Sequence, residues 1–338
     1  MKFMLALAAV IWAIQESPRQ DQAIPESISA ITPKMIQVDV DHLASDEYYG
    51  RYWLSPFARR AAVWIAGQME AAGCEPLLPD DAWFQEVKTK DASPNVVGMI
   101  RGSDPEAGYL LVGAHYDHLP PRRRGKDTIY NGADDNASGV AGMLAVARSL
   151  APLKDSLRAS VVFIAFTGEE AGLKGSRHFA ANAPVPLDSV RGLFNMDMIS
   201  RGEEDLIFID GAKQSPNLIR ALKEANKAVG LRLEVDTHPD WLQRSDQWPF
   251  LRQNVEAVLF SVEDHEDYHE VSDHADRILA PLAAKVARLV ALATLDLASK
   301  KPVSTPEKEA TERSESVPSD APAGAPGTRP AKDPELRT

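Results

Sequence analysis

Three largely apolar runs, at 109–114, 160–166 and 190–196, each give way within four residues to a histidine or a carboxylate: His115, the pair Glu169 and Glu170, and Asp197. Runs this short, with little polar alternation, suit strands buried on both faces, so helices must cover the sheet from both sides. Helical periodicity supplies them at Pro56–Ala72, Ser138–Leu150 and Ala275–Ala298. The expectation is an α/β fold: a mixed, mostly parallel central sheet with helices on both faces, forming a single globular domain over 25–299. Such sheets bind ligands beyond the carboxyl ends of their strands, where these polar residues fall.

Composition narrows the function. With 338 residues, 44% of them hydrophobic, the chain can bury a sizeable core. A net charge of -12 opposes a nucleic-acid surface, which needs clustered Lys and Arg. The one basic cluster, Arg122, Arg123, Arg124 and Lys126, is short and has no interleaved aromatics. Cys74 is the only cysteine, so no intrachain disulfide forms, and its place after Gly73 at a helix end suits a small packed residue. Trp53 and Trp64 read as core or rim.

The ends differ from the body. Lys2 followed by apolar Phe3–Ile14 and polar Gln15, Glu16 and Ser17 reads as an export signal over 1–17, implying a secreted or periplasmic protein. The apolar run is shorter than the roughly 20 residues that span a bilayer, so stable insertion is not expected; an uncleaved N-terminal anchor is the alternative. Residues 300–338 carry seven prolines among Ser, Ala, Glu and Lys and have no Ile, Phe, Tyr or Trp, which predicts a disordered tail.

His115, Asp135, Glu170, Asp197 and His269 make a mixed imidazole and carboxylate set that suits two zinc ions sharing one carboxylate. Asp135, in the turn Asn131–Gly139, has two oxygens with which to bridge, and the histidines are terminal ligands. Glu169, beside Glu170 but not a ligand, is the candidate general base for a water activated between the ions. Asp117, two residues past His115, is the candidate to hold that ring in one tautomer. The bland alternative is that acids after strands are only helix caps and lone histidines are packing residues.

Taken in order from His42-Leu-Ala-Ser-Asp46 to Tyr268-His269, these motifs resemble the di-zinc aminopeptidases, the family of bacterial leucyl aminopeptidases and glutamate carboxypeptidase. The resemblance implies that His115 and Asp197 bind one zinc, Glu170 and His269 the other, with Asp135 between, and that Glu169 is the base. It also implies that Tyr268 donates a hydrogen bond to the tetrahedral oxyanion. The activity expected is hydrolysis of the N-terminal bond of peptide substrates by a zinc-bridged hydroxide, with manganese or cobalt as other metals such a shell tolerates. The same core elsewhere serves a carboxypeptidase or dipeptidase. A single-zinc glutaminyl cyclase is disfavoured by the retention of His115, Asp135 and Asp197, and a non-catalytic binding domain by the loss of none of the five.

The sequence departs from the family's pattern twice. Gln247 in Ser245-Asp246-Gln247-Trp248-Pro249-Phe250 stands where His is usual, and Glu270-Val271 follows His269 where Thr or Gln and then Pro is commoner. The remaining histidines, His42, His118, His178, His238, His265 and His274, read as structural or solvent-facing, with His118 and His265 closest to ligands, and Asp134 as a turn residue. The Pro120–Asp127 segment runs between two ligands. Its arginines either attract acidic groups of a substrate or form a solvated basic loop.

Overall fold

The structure, a computed structural model, describes residues 24–301. The expected export segment at 1–17 and the expected tail beyond residue 301 lie outside the described residues. Within them, one sheet is built from β1 (Glu75–Pro76), β2 (Phe84–Gln85), β3 (Asn95–Ile100), β4 (Tyr109–His115), β5 (Ser160–Phe166), β6 (Val190–Met196), β7 (Leu206–Asp210), β8 (Arg232–Val235) and β9 (Ala257–Ser261). Its order is β1-β3-β5-β4-β6-β9-β7-β8, with β2 also paired to β3. The four central strands β5, β4, β6 and β9 run parallel, and β3 and β7 border them antiparallel.

Side chains along these strands alternate between two cores. Leu110, Val112 and Ala114 of β4 and Val161, Phe163 and Ala165 of β5 face one, while Leu111, Val162, Ile164 and Phe166 face the other. The first core is closed by α1 (Glu26–Ser29), α2 (Pro33–Leu43), α3 (Pro56–Ala71), α4 (Gly139–Leu150), α6 (Pro216–Val229) and α8 (Ala280–Ser299), and the second by α5 (Lys174–Ala181) and α7 (Trp248–Leu251). Each fully buried Leu, Ile or Phe contributes roughly 1.5–3 kcal/mol by leaving water. None of the described helices is long and apolar enough to cross a membrane.

Local signals explain the element ends. Thr32 and Ser55 accept from Met35 N and Ala58 N at the starts of α2 and α3, each followed by a proline in the first turn. Gly73, with φ of 96°, ends α3: its N–H bonds Glu70 O and the Cys74 N–H bonds Met69 O, the paired bonds of a left-handed helix stop. The last helix starts later than its periodicity suggests, at Ala280 and not Ala275. Ala275–Arg277 is a separate single turn, and Ile278 is extended. Pro281, which has no N–H to give and disfavours helix before it, sets the true first turn.

Chain order reverses at β4: from it α4 leads to β5 on one side, and β6 lies on the other. The crevice at the carboxyl ends of β4, β5, β6 and β9 is therefore the switch point of the sheet.

Candidate metal centre

Strand register brings the first residues together. Gly113 of β4 pairs with Asn195 of β6, so His115 and Asp197, each two residues further on, emerge side by side. His115 Nε2 lies 3.1 Å from Asp197 Oδ1 and 3.3 Å from Asp135 Oδ1. The other oxygen of Asp135 faces a second group: Oδ2 is 3.2 Å from His269 Nε2, which is itself 3.3 Å from Glu170 Oε2. Two sets of donors thus share Asp135, one oxygen each. Atoms bound to one tetrahedral zinc at about 2.0–2.1 Å stand about 3.3 Å apart, so both sets have the spacing of a ligand shell. All five residues named from the sequence converge here.

The turn carrying Asp135 is pinned from three directions. The Asp273 carboxylate accepts the main-chain N–H of Asp134 and of Asp135. Asn136 donates to Met196 O and accepts from Gly139 N and Met198 N, tying the turn to the end of β6. Asp134, read as a turn residue, is one: its carboxylate takes the N–H and hydroxyl of Ser200 and contacts His265 Nε2 at 3.1 Å.

Beneath the turn lies a fully buried Arg51 with no carboxylate in its grip. Its guanidinium donates to four carbonyls, those of Leu43, Tyr116, Asn131 and Gly132, at 2.6–2.8 Å. Burial lowers its pKa to about 10, opposed by the charges of Asp135, Asp273 and Asp117. One cation therefore joins the end of α2, the segment after β4 and the turn before Asp135.

Electrostatics separate the acids into two kinds. Burial would raise Asp135, but His118, His115 and His269 around it hold it well below the ordinary carboxylate range. Glu170 is likewise lowered, with burial and Asp135 opposed by His118 and His269. Glu169 is raised well above its usual value by burial, with the charges of Asp197, Glu170 and Asp246 adding to it and His115 opposing. The upward shift sets Glu169 apart from Asp135 and Glu170, both shifted downward.

Supporting contacts differ from expectation at Asp117. The nearer partner of His115 Nδ1 is the main-chain carbonyl of Asp117, at 3.1 Å; the carboxylate stands 3.8 Å away and accepts from Glu169 N–H instead. Asp117 thus links the His115 ring to the main chain of Glu169, and burial raises its carboxyl to about 7. Tyr268 stacks on the His269 ring at 4.0 Å, and burial raises its phenol further from ionisation.

Two residues around the centre were given no role in it from the sequence. Ser245 donates to Asp197 Oδ2 at 2.6 Å and receives Asn195 Nδ2, turning Oδ1 toward His115. His118, read as structural or solvent-facing, is fully buried with Nδ1 2.7 Å from Glu170 Oε1. Its place three residues after His115 was the available clue. The other histidines behave as packing or surface groups: His42 stacks on Trp64, His238 on Trp241, and His274 pairs with Asp127.

Comparison with known proteins follows the same geometry. Residues 95–294, which carry every residue of both donor sets, match Peptidase family M28. The chain belongs to peptidase family M28. A probable zinc metalloprotease of Leptosphaeria maculans is 26% identical over 310 residues, covering 78% of this chain and 70% of that protein. Leucine aminopeptidase 1 of Arthroderma gypseum is 28% identical over 244 residues, 69% of this chain, and the match spans 62% of its length. The LapA aminopeptidase of Legionella pneumophila superposes with a TM-score of 0.69 at 19% identity, over 88% of this chain and 80% of that one. BSAP, a zinc aminopeptidase from Bacillus subtilis, gives 0.65 at 16%, over 81% and 97%. A glutaminyl cyclase of Porphyromonas gingivalis gives 0.61 at 18%, over 78% and 97%. The fold is that of the zinc aminopeptidases.

Within this M28 chain both sequence departures have a structural setting. Gln247 is buried, and its amide donates to Leu242 O at 3.1 Å. Glu270 forms an ion pair with Arg122, whose Nε also donates to the Tyr130 hydroxyl, so the first arginine of the basic loop is tied down beside His269.

Proposed function

We propose that the protein is a zinc aminopeptidase that removes the N-terminal residue of peptides, with Glu169 as general base. The observation that carries the reading is the division of Asp135, one oxygen to His115 and Asp197 and the other to Glu170 and His269. The donor set fits zinc: imidazole nitrogens and carboxylate oxygens at shell spacing, with Asp135 and Glu170 held below their usual carboxylate range. Two zinc ions there would acidify a water and polarise the scissile carbonyl.

The chain's own residues do the remainder. Glu169, free of the imidazole contacts that lower Asp135 and Glu170, takes a proton from the attacking water and delivers it to the leaving amine. Asp117 holds the Glu169 main chain through its N–H. Tyr268, stacked on His269, is the donor assigned to the developing oxyanion. Lys2 followed by the apolar run Phe3–Ile14 supports reading the enzyme as secreted or periplasmic.

Free-amine and N-blocked peptides assayed with and without chelator test the reading, together with metal content. The expected result is two zinc ions per chain, cleavage of free-amine peptides only, and its loss in Glu169→Gln with both ions retained. Equal cleavage of blocked peptides rejects the aminopeptidase assignment. A single zinc with cyclisation of N-terminal glutamine would make the protein a cyclase.

A further inference from the structure

A polar ring this deep in a protein needs a reason. His118 is 0% exposed, and its Nε2 finds no hydrogen-bond partner among the described residues, an arrangement that costs about 1–3 kcal/mol of stability. The slot is built around it. A Cβ on Gly132 would lie 2.6 Å from His118 Cδ2, and Gly132 has φ of 56°, so only glycine leaves room for the ring. Tyr130 packs edge-on against the ring with centroids 6.2 Å apart, and its hydroxyl is held by Arg122.

What the ring does inside the slot is fixed by one contact, from Nδ1 to Glu170 Oε1 at 2.7 Å. A carboxylate that binds zinc has no proton to give, so Glu170 can only accept and Nδ1 must donate. Oε2, the other oxygen of Glu170, lies 3.3 Å from His269 Nε2. His118, Asp135 and Glu170 each offer a donor atom within 4.8 Å of the others, so ligation by His118 is a competing reading. The distances decide against it. A separation of 2.7 Å is a hydrogen bond and too short for two atoms on one zinc, and Asp135 Oδ2 is 3.7 Å away.

We infer that His118 is a positioning residue: it donates from Nδ1 to Glu170 Oε1 and so fixes the rotamer that turns Oε2 toward His269 and Asp135. The inference rests on the two-zinc reading. It assigns His118 to the Glu170 and His269 site alone, and predicts that the His115 and Asp197 site is indifferent to it. Outer partners of metal-binding side chains change affinity by about 10- to 100-fold when removed.

The test is zinc titration against a competing chelator, with Co²⁺ absorption spectra of the same proteins. His118→Ala should weaken one of two zinc ions by about 10- to 100-fold and leave the other unchanged. His118→Asn, whose amide can donate from near the Nδ1 position, should restore most of that loss and keep the wild-type Co²⁺ spectrum. If the alanine variant does not fold, His118→Leu fills the slot without a donor and takes its place. Unchanged affinities in both donor-less variants overturn the inference, and an altered Co²⁺ spectrum in His118→Asn does so in favour of ligation. A wild-type protein that binds fewer than two zinc ions overturns the two-ion reading itself, a result distinct from either.

Discussion

Asp273 lies directly behind Asp135, accepting its main-chain N–H at 3.1 Å while also holding that of Asp134. The residue that would bridge two cations is thus braced by a second acid that never reaches them. Asp273→Asn keeps the shape but turns an amide, with its own N–H groups, toward two donors. Zinc affinity should fall about 10- to 100-fold. Chelator competition measures it, and wild-type affinity would show that Asn136 and Asp134 hold the turn without Asp273.

Arg51→Met should be severely destabilising. It takes a donor from each of four buried carbonyls, of which Gly132 O keeps the Ala137 N–H, and removes the positive charge beneath Asp135, Asp273 and Asp117. A loss of about 3–5 kcal/mol is expected, the scale on which a broken buried charged network is felt. Arg51→Lys should recover only part, because a compact ammonium has three donors for four acceptors. Urea unfolding of the zinc-free proteins gives both values.

Asp210, at the end of β7, provides a pH dependence away from the candidate metal centre. Burial raises its carboxyl from 3.8 to about 6, with the charges of Asp236 and Asp240 assisting and His238 opposing. The folded protein therefore binds this proton more tightly than the unfolded chain. The contribution is complete below about pH 3.8 and is lost as pH rises through about 6. Asp210→Asn removes the dependence, so the stability difference, variant minus wild type, should move in favour of Asn between pH 4 and pH 7. A difference flat in pH would show that Asp210 ionises in the fold as it does in the unfolded chain.

Cys74 should be inert in the native protein. It is 7% exposed, and burial pushes its thiol up to about 12, so almost no thiolate is present at neutral pH. A thiol reagent at pH 8 should label it at the rate of unfolding, and at once in denaturant. Rapid native labelling would mean that the end of α3 opens locally.

The parts of this molecule that were legible in the sequence are those written in short-range pattern. β5 and β6 have the bounds expected from their apolar runs, and His115, Glu170 and Asp197 follow from standing at strand ends, where register alone aligns them. Residues that act across long separations from outside the recognised ligand motifs were not legible. Arg51 meets Gly132 across 81 positions, Asp273 meets Asp135 across 138, and His118 meets Glu170 across 52. A single sequence holds no trace of such pairings, because each residue alone reads as an ordinary turn acid, surface base or packing histidine. Asp117 shows a subtler limit: its position was noted, but its carbonyl takes the His115 ring while its carboxylate takes the Glu169 N–H.

The five candidate ligands come from five separate stretches, the last of them His269, and the brace on Asp135 arrives only with Asp273. No early segment of the growing polypeptide can chelate tightly by itself. Capture of the cation shared by Glu170 and His269 would therefore await docking of the last loop, so an immature or clipped chain would stay inert. Under the proposed chemistry, peptide-cleaving power is switched on by completion of the fold.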